Sequence, residues 1–145
     1  MDFPERPAEK TIALAVEWLS RQAGPWFCWI HLFDPHSPYA PPEPYASRFP
    51  SDRYSGEVAY VDDALAKLFA AVEARGGPGR TLIVLTSDHG ESLGEHGEGT
   101  HSYFAYNSTL WVPLLIAGPG VKPARVKDVV SHVDIFPTVC DLLGL

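Results

Sequence analysis

The sequence predicts an α/β fold, and three stretches carry that reading. Residues Glu57 to Arg75 place Val58, Val61, Leu65, Leu68, Phe69 and Val72 at spacings of three and four, the period of an amphipathic helix. Two short apolar runs flank it, "WFCWIHLF" at residues 26–33 and "TLIVLT" at residues 81–86, both rich in β-branched or aromatic side chains and of strand length. Strand, helix and strand in that order read as a right-handed βαβ crossover. The expected architecture is a mostly parallel sheet flanked by helices.

Taken from the start, Ala8 to Gln22 carries Ile12, Ala15, Val16 and Leu19 on one face of a helix, and Gly24-Pro25 stops it. Trp26 to Phe33 is bounded by Pro25 and Pro35 and reads as a buried strand, with Trp26, Phe27, Trp29 and Phe33 assigned to the core. Next comes "DPHSPYAPPEPYASRFP", six prolines in seventeen residues, which forbids regular ladder or helix bonding and gives a stiff excursion. Helix 57–75 ends at Gly76-Gly77, as a C-terminal cap does. The uniformly apolar Thr81 to Thr86 suits a parallel strand covered on both faces. Val112 to Ala117 is a further strand with Pro113 at its tolerant leading end. Val129 to Val133 is a candidate for one more, before a closing helix from Ile135 to Leu143 capped by Asp134. No internal repeat interrupts this, so residues 1–145 read as a single domain.

Composition narrows the function. A formal charge of −7 and a pI near 5.2 argue against a nucleic-acid partner, because that grip depends on clustered Lys and Arg displacing counterions. The longest apolar runs, such as Leu110 to Ala117, fall short of the ~20 residues of a membrane helix, so a soluble domain is expected. Met1 to Pro7 has neither the basic nor the apolar region of a signal peptide. Cys28 and Cys140 lie far apart in sequence and suggest two buried free thiols rather than a disulfide framework.

In open α/β sheets ligands bind where loops leave the carboxyl ends of strands. Two loops are expected to meet there, one after Phe33 and one after Ser87. The second, within "LTSDHGESLGEHGEGTHS" (residues 85–102), holds three histidines, four carboxylates and four glycines without a lysine or arginine. Asp88 and His89 are neighbours, and neighbours on a strand point to opposite faces, so they converge only where the strand ends. There, carboxylate and imidazole suit one zinc, manganese or magnesium-like ion. The alternative is that Asp88 caps a turn and His89 is a hydrogen-bonded edge residue. Gly90, Gly94, Gly97 and Gly99 each cost a helix roughly 1 kcal/mol relative to Ala, which excludes an H-E-x-x-H zinc helix. Glu91, Glu95 and Glu98 would repel an anion unless a metal or protonated His96 and His101 offset them. In the proline loop, Asp34 reads as a turn residue. His36, between Pro35 and Pro38, is either an ordinary structural histidine or a group held stiffly toward developing charge.

Four segments in series, "HLFDPHSPYAPP", "YSGEVAYVDDAL", "TLIVLTSDHGESLGEHGEGTHSYFAYNSTLWVPLLIAGPG" and "VSHVDIFPTVCDLLGL", resemble the sulfatase family of the alkaline phosphatase-like superfamily. The resemblance runs from about Trp26 to Leu145. It implies an alkaline phosphatase-like α/β fold and a divalent-metal site including Asp88 and His89, filled by calcium in many sulfatases and by manganese or zinc in phosphatase-like relatives. Many sulfatases carry Asp-Asn at this pair, and a His at 89 leans toward the branch with phosphonate monoester hydrolases and phosphodiesterases. By the same resemblance His36 contacts the transferred sulfuryl or phosphoryl group, and His101 stands where relatives place a lysine or histidine that assists the leaving group. No role transfers to His96.

The implied reaction is metal-assisted displacement at sulfur or phosphorus on a small anionic ester, with a histidine protonating the departing alcohol. The family's nucleophile lies in a C/S-x-P-x-R segment that this sequence does not contain, since neither Cys28 nor Cys140 is followed by that pattern. The expectation is therefore a C-terminal portion of the catalytic domain, inactive alone and partnered by a missing N-terminal half. Alternatives are a phosphodiesterase, phosphonate monoester hydrolase or phosphoglycerol transferase of the same superfamily, a noncatalytic binding module on this scaffold, and a small zinc protein using His89, His96 and His101.

Overall fold

Helix α1 (Ala8–Ser20) starts after Pro7, which has no N–H to lose at a helix start and whose carbonyl accepts from Lys10 and Thr11. Two of its orphan N–H groups find tertiary partners: Ala8 donates to Asp34 Oδ2 (2.9 Å) and Glu9 to the Tyr60 hydroxyl (3.1 Å). A computed structural model describes residues 5–145, and these form two compact units, one ending at Gly77 and the other Pro78–Leu145, each considered by itself.

In the first unit α1 packs against the long helix α3 (Arg53–Glu73), with the short helix α2 (Tyr45–Arg48) interrupting the proline loop and also touching α3. Helix α3 begins four residues ahead of the predicted start, because Asp52 accepts from the Ser55 N–H as its N-cap. Its buried stripe also differs. Val58 and Phe69 are exposed, while Gly56, Glu57, Tyr60, Ala64 and Val72 are buried. The core is Ala8, Ile12, Tyr60 and Ala64, with Val16, Ile30, Leu32, Val61, Leu65 and Leu68 packed around it.

The predicted strand at 26–33 pairs with no strand among the described residues. Its burial still alternates with the two-residue period of a strand: Trp26, Cys28, Ile30 and Leu32 are half-buried, and Phe27, Trp29, His31 and Phe33 are exposed. Phe27 and Trp29 are each 80% exposed, so their assignment to the core is corrected. Side chains on one face pack toward α1 and α3, and among the described residues no layer covers the other. Cys28 and Cys140 are free thiols, half-buried rather than buried.

In the second unit β1 (Ile83–Thr86) pairs with β2 (Leu114–Ala117) in register Ile83 with Ala117 and Thr86 with Leu114. The pairing is antiparallel. Between the two strands the chain contains a 3-10 turn at Glu95–Gly97 and one α-helix, α4 (Asn107–Leu110), both too short for the crossover that a parallel return needs. Residues 129–131 form no strand. A short 3-10 turn at His132–Asp134 leads into α5 (Ile135–Leu143). Asp134 does not cap α5 as expected. It closes a capping box with Ser131 one turn earlier, its carboxylate accepting from the Ser131 N–H (2.8 Å).

Candidate active site

Strand β1 ends at Thr86, and Asp88 and His89 follow at the point where the chain leaves the ladder. Two anchors hold that exit. His132 Nε2 donates to the Ser87 carbonyl (2.8 Å), and the Gly90 N–H donates to the Thr109 carbonyl (2.8 Å). Gly90 is required because the backbone at Ser108 and Thr109 passes over it: a Cβ there would lie 2.2 Å from the Ser108 carbonyl oxygen. The two side chains converge. Asp88 Oδ1 accepts from the His89 N–H (3.0 Å), and Asp88 Oδ2 lies 3.8 Å from His89 Nε2.

His89 Nδ1 is 2.8 Å from the Gly90 carbonyl. A carbonyl only accepts, so the proton sits on Nδ1 and the lone pair of the neutral ring on Nε2, facing the carboxylate. That is the tautomer a metal-binding imidazole adopts when its second nitrogen is held by a backbone carbonyl. Two donors bound at about 2.0–2.6 Å to one ion stand roughly 3–4 Å apart, which the pair satisfies. The residues present therefore fit a divalent cation as two of its ligands. Among the described residues, no three of His, Cys, Asp and Glu gather into a metal-holding group, so the zinc trio of His89, His96 and His101 is not formed.

His101 is brought alongside. Its ring lies over that of His89, with centroids 4.0 Å apart, and its Nδ1 is 3.1 Å from Glu91 Oε1. Thr100 Oγ1 also donates to that carboxylate oxygen (3.3 Å). The Glu91 side chain is only 6% exposed, so this acid serves to orient His101 rather than to repel an incoming anion. Glu98 is used in the same way. It is buried, and its Oε1 accepts from the N–H groups of Tyr103 (2.9 Å) and Phe104 (3.1 Å), fixing the chain just beyond His101. Only Glu95 of the three is exposed, and bonding from the Leu93 N–H holds its carboxyl below the ordinary range. The expectation of a uniformly repulsive acidic loop is thus corrected: two of the three acids turn inward and bond within the loop, Glu98 through Oε1 alone. His89, His101, Tyr103, Phe104, Thr109 and Leu110 line an open cavity of ≈ 450 Å³. His96 stacks on Tyr106 with centroids 4.0 Å apart.

His36 belongs to the first unit. Its ring stacks on Phe33 (centroids 4.2 Å), and Nδ1 donates to the Ser37 carbonyl (2.7 Å), placing the neutral ring's lone pair on Nε2. Its backbone N–H donates to Glu57 Oε2 (3.0 Å), and Ala40 N–H donates to Glu57 Oε1 (2.7 Å). Sequence reasoning missed Glu57, Glu91 and Glu98. For Glu57 a signal exists: a carboxylate at helical spacing from Tyr60, Val61 and Ala64 sits on the apolar stripe of α3 and needs buried partners.

Comparison with known proteins agrees with the fold and adds a family. Over 93 residues the chain is 40% identical to arylsulfatase K of Danio rerio, covering 63% of the chain and 18% of that protein. It is 35% identical over 92 residues to choline-sulfatase of Rhizobium meliloti (strain 1021), again 63% of the chain and 18% of the relative. Among solved structures, the phosphonate monoester hydrolase of Agrobacterium radiobacter superposes with a TM-score of 0.82 at 26% identity, over 98% of this chain and 40% of that one. The yidJ protein of Bacteroides fragilis superposes with a TM-score of 0.86 at 19% identity, over 94% and 37%, a likeness of fold. The chain spans less than half of each of these proteins, and its fold is that of the alkaline phosphatase-like α/β class. Residues 4–145 match the sulfatase family throughout, and the chain belongs to that family.

Proposed function

We propose that the chain forms part of a metal-dependent hydrolase of sulfate esters, in which Asp88 and His89 are two ligands of a divalent cation. Calcium is the first candidate, with manganese and zinc behind it. The observation that supports this best is Asp88 Oδ2 facing His89 Nε2 at 3.8 Å while the Gly90 carbonyl fixes the ring's tautomer. Such a cation, when bound, neutralises ester oxyanions and activates a nucleophile. His101, oriented through Nδ1 by Glu91, is the group that gives a proton to the departing alcohol. His36 contacts the transferred sulfuryl group through the nitrogen opposite its Ser37 bond. This reading draws the nucleophile and remaining ligands from a C/S-x-P-x-R segment and acidic residues that these 145 residues do not include, so the chain alone is expected not to turn over.

A phosphodiester or phosphonate monoester is the second reading, favoured by histidine rather than asparagine at position 89 and by the likeness to a phosphonate monoester hydrolase. Assay of the complete gene product with aryl sulfate and aryl phosphodiester in Ca²⁺, Mn²⁺ or Zn²⁺ separates the two. In either case Asp88→Ala is expected to abolish hydrolysis and its response to metal. Metal-stimulated turnover that survives in Asp88→Ala refutes the proposal.

A further inference from the structure

We propose that Glu57 is a positioning residue for His36, a carboxylate clamp that fixes the loop presenting that histidine. The inference rests on the reading of His36 given above. Glu57 is 5% exposed on a helix face otherwise occupied by Tyr60 and Ala64. A buried carboxylate is costly unless it is hydrogen-bonded, and an apolar residue would fill the same stripe without that cost. Its two oxygens are both used, and on one target: Oε2 accepts from His36 N–H (3.0 Å) and Oε1 from Ala40 N–H (2.7 Å). The clamp thus holds both ends of the segment His36–Ala40.

That segment is poor in alternatives. Pro35, Pro38, Pro41, Pro42 and Pro44 have no N–H, so few backbone donors are available to pin the loop anywhere. Its approach to α3 is made possible by Gly56, where a Cβ would fall 2.9 Å from Pro41 Cγ. On the near side Asp34 Oδ2 bonds the Ala8 N–H, tying the loop entrance to α1. With the backbone fixed at His36, the Phe33 stack and the Nδ1 bond to Ser37 leave the imidazole one orientation and one tautomer. A group that has to meet developing charge gains most from being fixed beforehand, and a misplacement of about 1 Å costs roughly 10²-fold in rate.

The test compares wild type, Glu57→Gln, His36→Ala and the double variant in the complete gene product. Glutamine keeps one acceptor oxygen and turns an NH₂ toward the other N–H, so one anchor is lost. Expected is a fall in kcat of about 10- to 100-fold, the range for residues that orient a functional side chain, with KM changed less. In the His36→Ala background Glu57→Gln is expected to cost little more, because its effect passes through His36. A merely structural role would multiply the two losses, and that result overturns the proposal, as does kcat within about twofold of wild type. Amide hydrogen exchange supplies a readout independent of turnover: the His36 and Ala40 amides should exchange faster in Glu57→Gln while α3 amides keep their protection, and unchanged exchange at those two refutes the clamp. If the amides loosen and His36→Ala hydrolyses its ester at the wild-type rate, the reading of His36 has failed and the positioning role with it. Glu57→Asp, which keeps the charge but loses a methylene of reach, gives the same comparison should Glu57→Gln not fold.

Discussion

Replacing Gly90 with alanine tests whether the backbone crossing behind Asp88 and His89 sets their geometry. An added Cβ would stand 2.2 Å from the Ser108 carbonyl oxygen, 3.1 Å from its carbon and 3.2 Å from Thr109 Cα, all main-chain atoms with no rotamer to swing aside. Real Cβ atoms do not approach within 3.0 Å, so one of the two segments has to retreat by roughly 1 Å. Overpacking of that kind costs about 1–3 kcal/mol. Retreat also stretches the 2.8 Å bond from Gly90 N–H to the Thr109 carbonyl, a further loss of about 0.5–1.5 kcal/mol. His89 sits one residue away and hydrogen-bonds the Gly90 carbonyl, so the displacement reaches the ligand pair directly. A shift of about 1 Å at such a group lowers activity by roughly 10²-fold. Gly99→Ala is the control, since that glycine lies in the same loop with open space around its Cβ position and no positive φ. Thermal unfolding, calorimetric metal titration and ester hydrolysis on the complete gene product give the comparison. Gly90→Ala matching Gly99→Ala in stability, metal affinity and turnover would refute the reasoning.

Two further predictions concern the first unit. Ile12 is fully buried among Ala8, Tyr60 and Ala64, and the methyl groups of the two alanines have no rotamer that could swing into a void, so Ile12→Ala should cost about 2–5 kcal/mol, read from the urea midpoint at unchanged m. Burial raises the Glu57 carboxyl above its ordinary range, against the lowering effect of the Ala40 and His36 N–H groups, and the negative charges of Asp34 and Glu5 raise it further. A raised folded-state value means the native protein holds this proton more tightly than the unfolded chain. The contribution is therefore fully present below the unfolded value of about 4.3 and is lost as pH rises through the folded value. Urea midpoints taken across that window should decline less in Glu57→Gln than in wild type, and parallel profiles would contradict this assignment.

What the sequence by itself determined are the elements that local pattern encodes. Helices α1 and α3 follow from three-and-four spacing with Gly at their ends, and β1 and β2 from short apolar runs, because periodicity and caps are properties of neighbours in the chain. The Asp88-His89 pair was legible for the same reason: it lies where β1 gives way to glycine-rich chain. The tertiary structure decided the rest. Strand pairing is one case, since residues 26–33 have a strand's alternation and no ladder, and β1 meets β2 antiparallel across a connection without a crossover helix. The buried acids are the other. Glu57, Glu91 and Glu98 look like solvated charge in a linear reading, yet each turns inward to bond backbone or a histidine within 3.1 Å, Glu57 through donors distant in sequence and Glu91 and Glu98 through the folding of their own glycine-rich loop. Which carboxylate is buried depends on which donors the fold delivers, and for Glu57 that information is held by no local stretch of chain.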